Sequence, residues 1–176
     1  APDLFVVAND EDNSLRIFHR NKSGELLYSQ EISAFLQFDP KHPEADIEGA
    51  TLIKNRIYWI TSHGSNKDGK KRPNRHRFFA TEIETIDGQF NLKPIGKPFI
   101  DLVKVLKDSA GLKDYHLGKA AKHAPESKDG LNIEGLTKTP QGHLLIGFRN
   151  PIPHGKALLV PLENPQTVIT GHEKPK

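Results

Sequence analysis

Two glutamates, Glu48 and Glu134, hold the same place in two copies of one short pattern. The copies read Asp46-Ile47-Glu48-Gly49-Ala50-Thr51 and, 86 residues on, Asn132-Ile133-Glu134-Gly135-Leu136-Thr137. Carboxylates brought together repel, and they persist side by side when a cation bridges them, a guanidinium pairs with them or one keeps a proton. Convergent oxygens suit Ca²⁺ or Mg²⁺. Asp46 and Asn132, two residues earlier on the same faces, would add further oxygen ligands, so the metal-ligating candidates are Glu48, Glu134, Asp46 and Asn132. A structural role competes with this: each Glu accepts backbone N–H bonds from its neighbour, and the Gly beside it admits close packing.

A second group of polar residues ends the strands that follow these two: Ser62-His63 in one copy and Arg149-Asn150 in the other. Arg149 is a candidate bidentate clamp for phosphate or carboxylate, and His63 is a candidate general acid or base. Arg149, His63 and Asn150 form the candidate ligand-binding set, and Glu48, Glu134, His63 and Arg149 are the candidates for catalysis. Ser62 has no Gly-x-Ser-x-Gly setting and, as a strand neighbour of His63, faces the other way. Arg149-Asn150-Pro151 also reads simply as a turn held by its own hydrogen bonds. Between Lys67 and Arg77 six basic residues stand against Asp68 alone, the composition of a solvated hairpin loop or of an anion-binding one. Asn9 to Asn13 reads as a hairpin turn, with an auxiliary Ca²⁺ site as the lesser reading. No Walker loop, Gly-x-Gly-x-x-Gly or His-Glu-x-x-His occurs, and there is no cysteine to ligate zinc or act as a thiol nucleophile.

The elements that must position these residues are strands. Leu4–Ala8, Leu15–His19, Leu26–Ile32, Ala50–Ile53, Ile57–Thr61, Phe78–Ile86, Leu144–Phe148 and Ala157–Leu162 are β-branched or aromatic runs bounded by Gly, Asn, Asp or Pro. Phe99, Leu102, Val103 and Leu106 have helical spacing and predict one short helix over 99–112. Residues 113–130 read as a long loop or mobile connection. The repeat extends past the Ile-Glu-Gly strands: Arg56–His63 aligns with His143–Asn150, and Phe78–Glu84 with Ala157–Glu163. Each copy is strand, tight turn, strand, polar loop, strand, with a more divergent unit at Leu4–Ile32.

That order is the order of a propeller blade. The expectation is an all-β fold, part of a β-propeller of about three antiparallel blades. Its repeat units are approximately 4–37, 46–99 and 132–170, in a single domain over 1–176 with a helix and loop insertion at 100–131. Pro161 marks an outer edge strand. Three blades fall short of the ~4–8 of a closed ring and leave two open sides, so a second chain or second copy is expected to complete the propeller. A net charge of +3 on 176 residues is too small to point to nucleic acid, and no run approaches the ~20 apolar residues of a membrane span. The first residues, Ala1-Pro2-Asp3, carry no initiator Met and read as a processed end, which predicts a periplasmic or secreted protein.

The segments Ser62-His63-Gly64, Lys67–Arg75, Gly130–Leu136, Gly147-Phe148-Arg149-Asn150-Pro151 and Ala157–Pro165 together resemble a mainly bacterial family, domain of unknown function 3616, over roughly residues 46–165. The resemblance implies a propeller longer than this chain and, more distantly, a likeness to the esterase-like phytase propellers. It implies no catalytic residues. The leading functional expectation is a protein that binds a divalent cation or small anionic ligand at an axial acidic site. A metal-assisted phosphoester or ester hydrolase and a non-catalytic interaction scaffold are the alternatives.

Overall fold

The run Ile57 to Thr61 is buried at every position. A strand alternates its side chains between two faces, so burial of both neighbours in sequence means that its sheet is covered on both sides. This is the organising fact of the structure, a computed structural model that describes residues 3–176. The end at Ala1-Pro2 lies outside the described residues.

β1 (Leu4–Ala8), β2 (Ser14–His19) and β3 (Leu26–Glu31) form an antiparallel sheet in chain order, followed by a single helical turn, α1 (Ser33–Leu36). β4 (Ile47–Ile53), β5 (Arg56–Thr61), β6 (Phe78–Ile86) and β7 (Gln89–Phe99) form a second, four-stranded meander. After α2 (Leu102–Asp108) and α3 (Leu117–Ala120), β8 (Asn132–Lys138), β9 (Leu144–Asn150) and β10 (Leu158–Leu162) make a third sheet, and α4 (Pro165–Ile169) packs beyond it. The fold is all-β with blade-like sheets, as the sequence predicts.

The second sheet lies between the other two. Its Ile57, Trp59 and Phe79 share a core with Leu4, Leu15 and Ile17 of the first sheet. Its Tyr58, Ile60 and Phe78 share another with Ile133, Leu136, Leu144 and Ile146 of the third, closed by Leu102 and Leu106 of α2. Trp59 stacks on Phe79 with ring centroids 6.2 Å apart and donates its indole N–H to Thr81 Oγ1 (3.0 Å), so its one polar atom is satisfied in the core. Burial of such a ring is worth about 3–5 kcal/mol against alanine.

Two inner strands meet closely. A Cβ on Gly49 would stand 2.9 Å from the Leu136 backbone nitrogen, so only glycine lets β4 and β8 approach as they do. Ile133 N–H donates to Ser62 O (2.9 Å) across the same seam. β4 and β8 therefore begin at one end of the stack. The long connections 9–13, 32–46, 62–77, 100–131 and 151–157 gather at that end. Short turns serve the other, such as Asp87-Gly88, where φ is positive at both residues as a two-residue hairpin requires.

Three expectations are corrected. The helix begins at Leu102, not at Phe99, because Phe99 pairs with Phe78 at the end of β7. β7 itself was hidden by Pro94, Gly96 and Pro98, which an edge strand tolerates. The connection 113–130 holds α3 and is pinned back on the sheets, where Asn150 Nδ2 donates to Pro125 O (2.9 Å). Pro161 does lie on an edge strand, β10. The outward faces of the first and third sheets carry exposed apolar side chains, with Phe5 stacked on Phe18 (5.5 Å) on one and Leu159, 59% exposed, on the other.

Candidate functional site

Both glutamates sit on β-bulges. Ile47 pairs with Thr61 and Gly49 with Ile60, which leaves Glu48 as the extra residue. Ile133 pairs with Phe148 and Gly135 with Gly147, which leaves Glu134 extra in the same way. A second slip, between Asn132–Asn150 and Ile133–Phe148, makes Arg149 the extra residue of β9. A bulge re-aims the side chain it carries. Here it turns Arg149 onto Glu134, Nη1 to Oε1 at 3.0 Å.

Around these residues the charges are unequal. Arg75, at the end of a 3₁₀ turn in the loop after β5, donates to both oxygens of Glu44 (2.9 and 2.8 Å) and pairs with Asp46 Oδ2 at 3.2 Å. Asp46 itself has φ +60 and hands its carbonyl to Ser62 N–H (2.9 Å). Burial pushes the Asp46 carboxyl up, against the Ser62 hydroxyl and the Arg75 guanidinium, which pull it down. Glu48 has no part in the ion pairs among the described residues. Its carboxyl is pushed up to about 7, first by burial and then by the charges of Asp46, Glu134 and Asp10, with only Arg75 opposing. Asn132 is buried and donates Nδ2–H to Glu134 Oε1 (2.9 Å), while its Oδ1 is buried without a partner.

Glu48, Glu134, Asp46, Asn132 and Arg149 thus come to one end of the β4–β8 seam. His63 and Asn150 are spent differently. His63 is fully buried with φ +55, donates Nδ1–H to Thr61 O (2.8 Å) and packs edge-on against His76. Burial and the neighbouring His76 hold it neutral, at about 3. Asn150 is buried on the Pro125 carbonyl. The basic loop is also partly consumed: Arg77 is buried, donating to Leu36 O (2.8 Å) and Pro73 O (2.7 Å) with its guanidinium over the Phe38 ring. At the hairpin 9–13, Asp12 pairs with Arg16 (2.6 Å), as in a self-held turn. Sequence reasoning missed Asp10 and Arg75 as members of the site. The only signal was their polarity within loops that the strand order brings to the same end.

Among the described residues no group of three or more His, Cys, Asp or Glu side chains is placed to hold a metal ion. What is present is a pair of bulged carboxylates, one tied to a guanidinium and one free, beside an orphaned amide oxygen. A cleft of about 550 Å³ opens nearby between Glu44, Arg72, Arg75 and Glu126.

No curated protein and no solved structure matches this chain. A family model does, that of "Protein of unknown function (DUF3616)", over residues 97–171. The match spans the end of β7, α2, α3, the whole third sheet and α4. Through this segment, which carries Glu134, Arg149 and Asn150, the chain is similar to the DUF3616 family.

Proposed function

We propose that the bulged-glutamate end of the β4–β8 seam binds a divalent cation. The observation that carries the reading is Glu48, a half-buried carboxyl crowded by Asp46, Glu134 and Asp10 and given no cation of its own. Asn132 Oδ1, buried beside Glu134 with no donor, points the same way. One or two carboxylates and an amide oxygen suit a partly hydrated ion such as Mg²⁺, or Ca²⁺ with added waters, rather than a closed cage. Both arginines of the site already pair with carboxylates, which disfavours a small anion as the ligand.

A second reading is metal-assisted phosphoester or ester hydrolysis. It is favoured by Glu48, whose acidity near neutrality suits a general acid or base, and it requires the half-exposed Arg149 to exchange Glu134 for the substrate as an anion clamp. The ion would supply a polarised water, and Glu48 would hold or release the proton.

Thermal melts of the wild type and of Glu48→Gln, each with Mg²⁺, Ca²⁺ or chelator at pH 8 and pH 6, test the primary reading. The expected result is a metal-dependent rise in Tm for the wild type, reflecting a stabilisation of about 2.7 kcal/mol at a hundred times Kd. The rise is larger at pH 8, where no proton competes for Glu48, and absent in Glu48→Gln. A wild-type Tm indifferent to metal and chelator at both pH values rejects it.

A further inference from the structure

The first sheet differs from the other two in strand direction. Asn13, at the turn after β1, donates to Pro43 O (2.6 Å) and accepts from Ala45 N–H (2.9 Å), just before β4 begins. β1 therefore ends where β4 starts and runs opposite to it, whereas β8 runs with β4. Since sense alternates across a meander, β1, β2 and β3 have the senses of β5, β6 and β7. Side-chain contacts agree: Tyr28 of β3 bonds Asn91 of β7 (2.9 Å), and Leu15 and Ile17 of β2 pack in one core with Phe79 and Leu92. The first sheet is the second, third and fourth strands of a blade, and the place of its innermost strand is open among the described residues.

That place is a groove of about 380 Å³. Leu4 and Val6 line one side, and Ala50, Leu52, Ile57 and Trp59 the other. Asp3 O accepts from Arg20 N–H (2.7 Å), so in the alternation of an antiparallel ladder Phe5 and Val7 bond to β2. Leu4, Val6 and Ala8 then turn their N–H and C=O groups to the groove. A row of free backbone donors and acceptors above an apolar floor is the arrangement that takes up an added strand. The floor is also a known kind of interface: Ala50 stands in β4 where Leu136 stands in β8, and Leu136 is the residue that meets Gly49 of the preceding inner strand.

We propose that this groove binds an extended strand, antiparallel to β1 and parallel to β4. The strand carries the inner-strand pattern Asp/Asn-Ile-Glu-Gly-apolar-Thr that β4 and β8 share. Its glycine lies against Ala50, its apolar side chains fill the space over Leu52 and Trp59, and its glutamate joins Glu48 at the axis. Only this last consequence touches the cation site; the docking itself rests on the blade architecture and not on the metal reading.

The probe is a synthetic peptide with the sequence of residues 46–53, titrated into the full 176-residue chain in the presence of chelator. Without metal, a failure of the cation reading leaves the result unaffected. Backbone amide exchange and the fluorescence of Trp59, the one tryptophan of the chain, report binding. The expected result is saturable binding with protection of the Leu4, Val6 and Ala8 amides by at least about tenfold, and no change at β10. A scrambled peptide does neither, and Leu52→Glu, at a residue 49% exposed and so safe for folding, weakens binding about tenfold or more. Leu159→Glu, on the far sheet, leaves it unchanged. Unprotected amides at saturating peptide overturn the proposal, as does equal protection by the scrambled peptide. So does protection that arises from the chain alone with a doubling of mass, since a second copy would then be the occupant.

Discussion

Glu48 gains acidity only by losing its surroundings. Its carboxyl titrates near 7 in the folded protein and near 4.5 in the unfolded chain, so between those values the native state holds more protons than the denatured one. Stability therefore falls as pH rises from 4.5 to 7, and the full cost is present above 7. Glu48→Gln removes the cost. In urea unfolding without metal, the variant is expected to exceed the wild type at pH 8 by about 1 kcal/mol, once solvent screening of a half-exposed group is allowed for. The two should converge at pH 4.5, and a constant gap across that range would show that the effect is not ionisation. That two glutamates matter was legible from the repeat alone. That Arg149 would take one of them was not, because the pairing depends on two register slips, which no local pattern announces.

At the scale of elements, equivalent glycines are placed in unequal surroundings. Gly49 is roofed by β8, while Gly135 has nothing nearer than its own sheet partner Gly147, at 3.5 Å from a built Cβ. Gly49→Ala should therefore cost about 1–3 kcal/mol through forced separation of the second and third sheets, and Gly135→Ala should stay within about 0.5 kcal/mol. Chemical denaturation of the two variants side by side decides it, and equal losses would mean that the glycines serve their own strands rather than the seam. Most strands were visible in the sequence because alternation and turn residues bound them sharply, as at Leu4–Ala8 and Phe78–Ile86. β7 was not visible, since its prolines and glycine mimic a loop and only pairing with β6 makes it a strand. The first sheet read as a whole blade because three strands in a row look alike whichever three they are; direction relative to β4 emerges only from Asn13 and its partners.

As a whole, the molecule is a stack with two unfinished sides. Phe5, Phe18 and Val7 face out from the first sheet and Leu159 from the third, where a further blade would sit in a ring. The expectation is that a partner polypeptide or second copy covers them. In sedimentation velocity over a range of concentrations, the chain should self-associate or take up such a partner, and Phe5→Glu or Leu159→Glu should weaken association without lowering Tm. A chain that stays monomeric at all concentrations, with the same surface exposed in every partner tested, would contradict this.

The segregation of long connections to one end of the stack and short turns to the other makes the molecule polar in the way a socket is polar. At about 3.3 Å per residue, the Lys54-Asn55 turn lies some 20 Å along β4 from Glu48. Whatever is attached at that blunt end, a dye, a surface or a fused domain, is held a full strand length from Glu48. Changes in the length and composition of the loops at the rimmed end leave the frame of strands untouched.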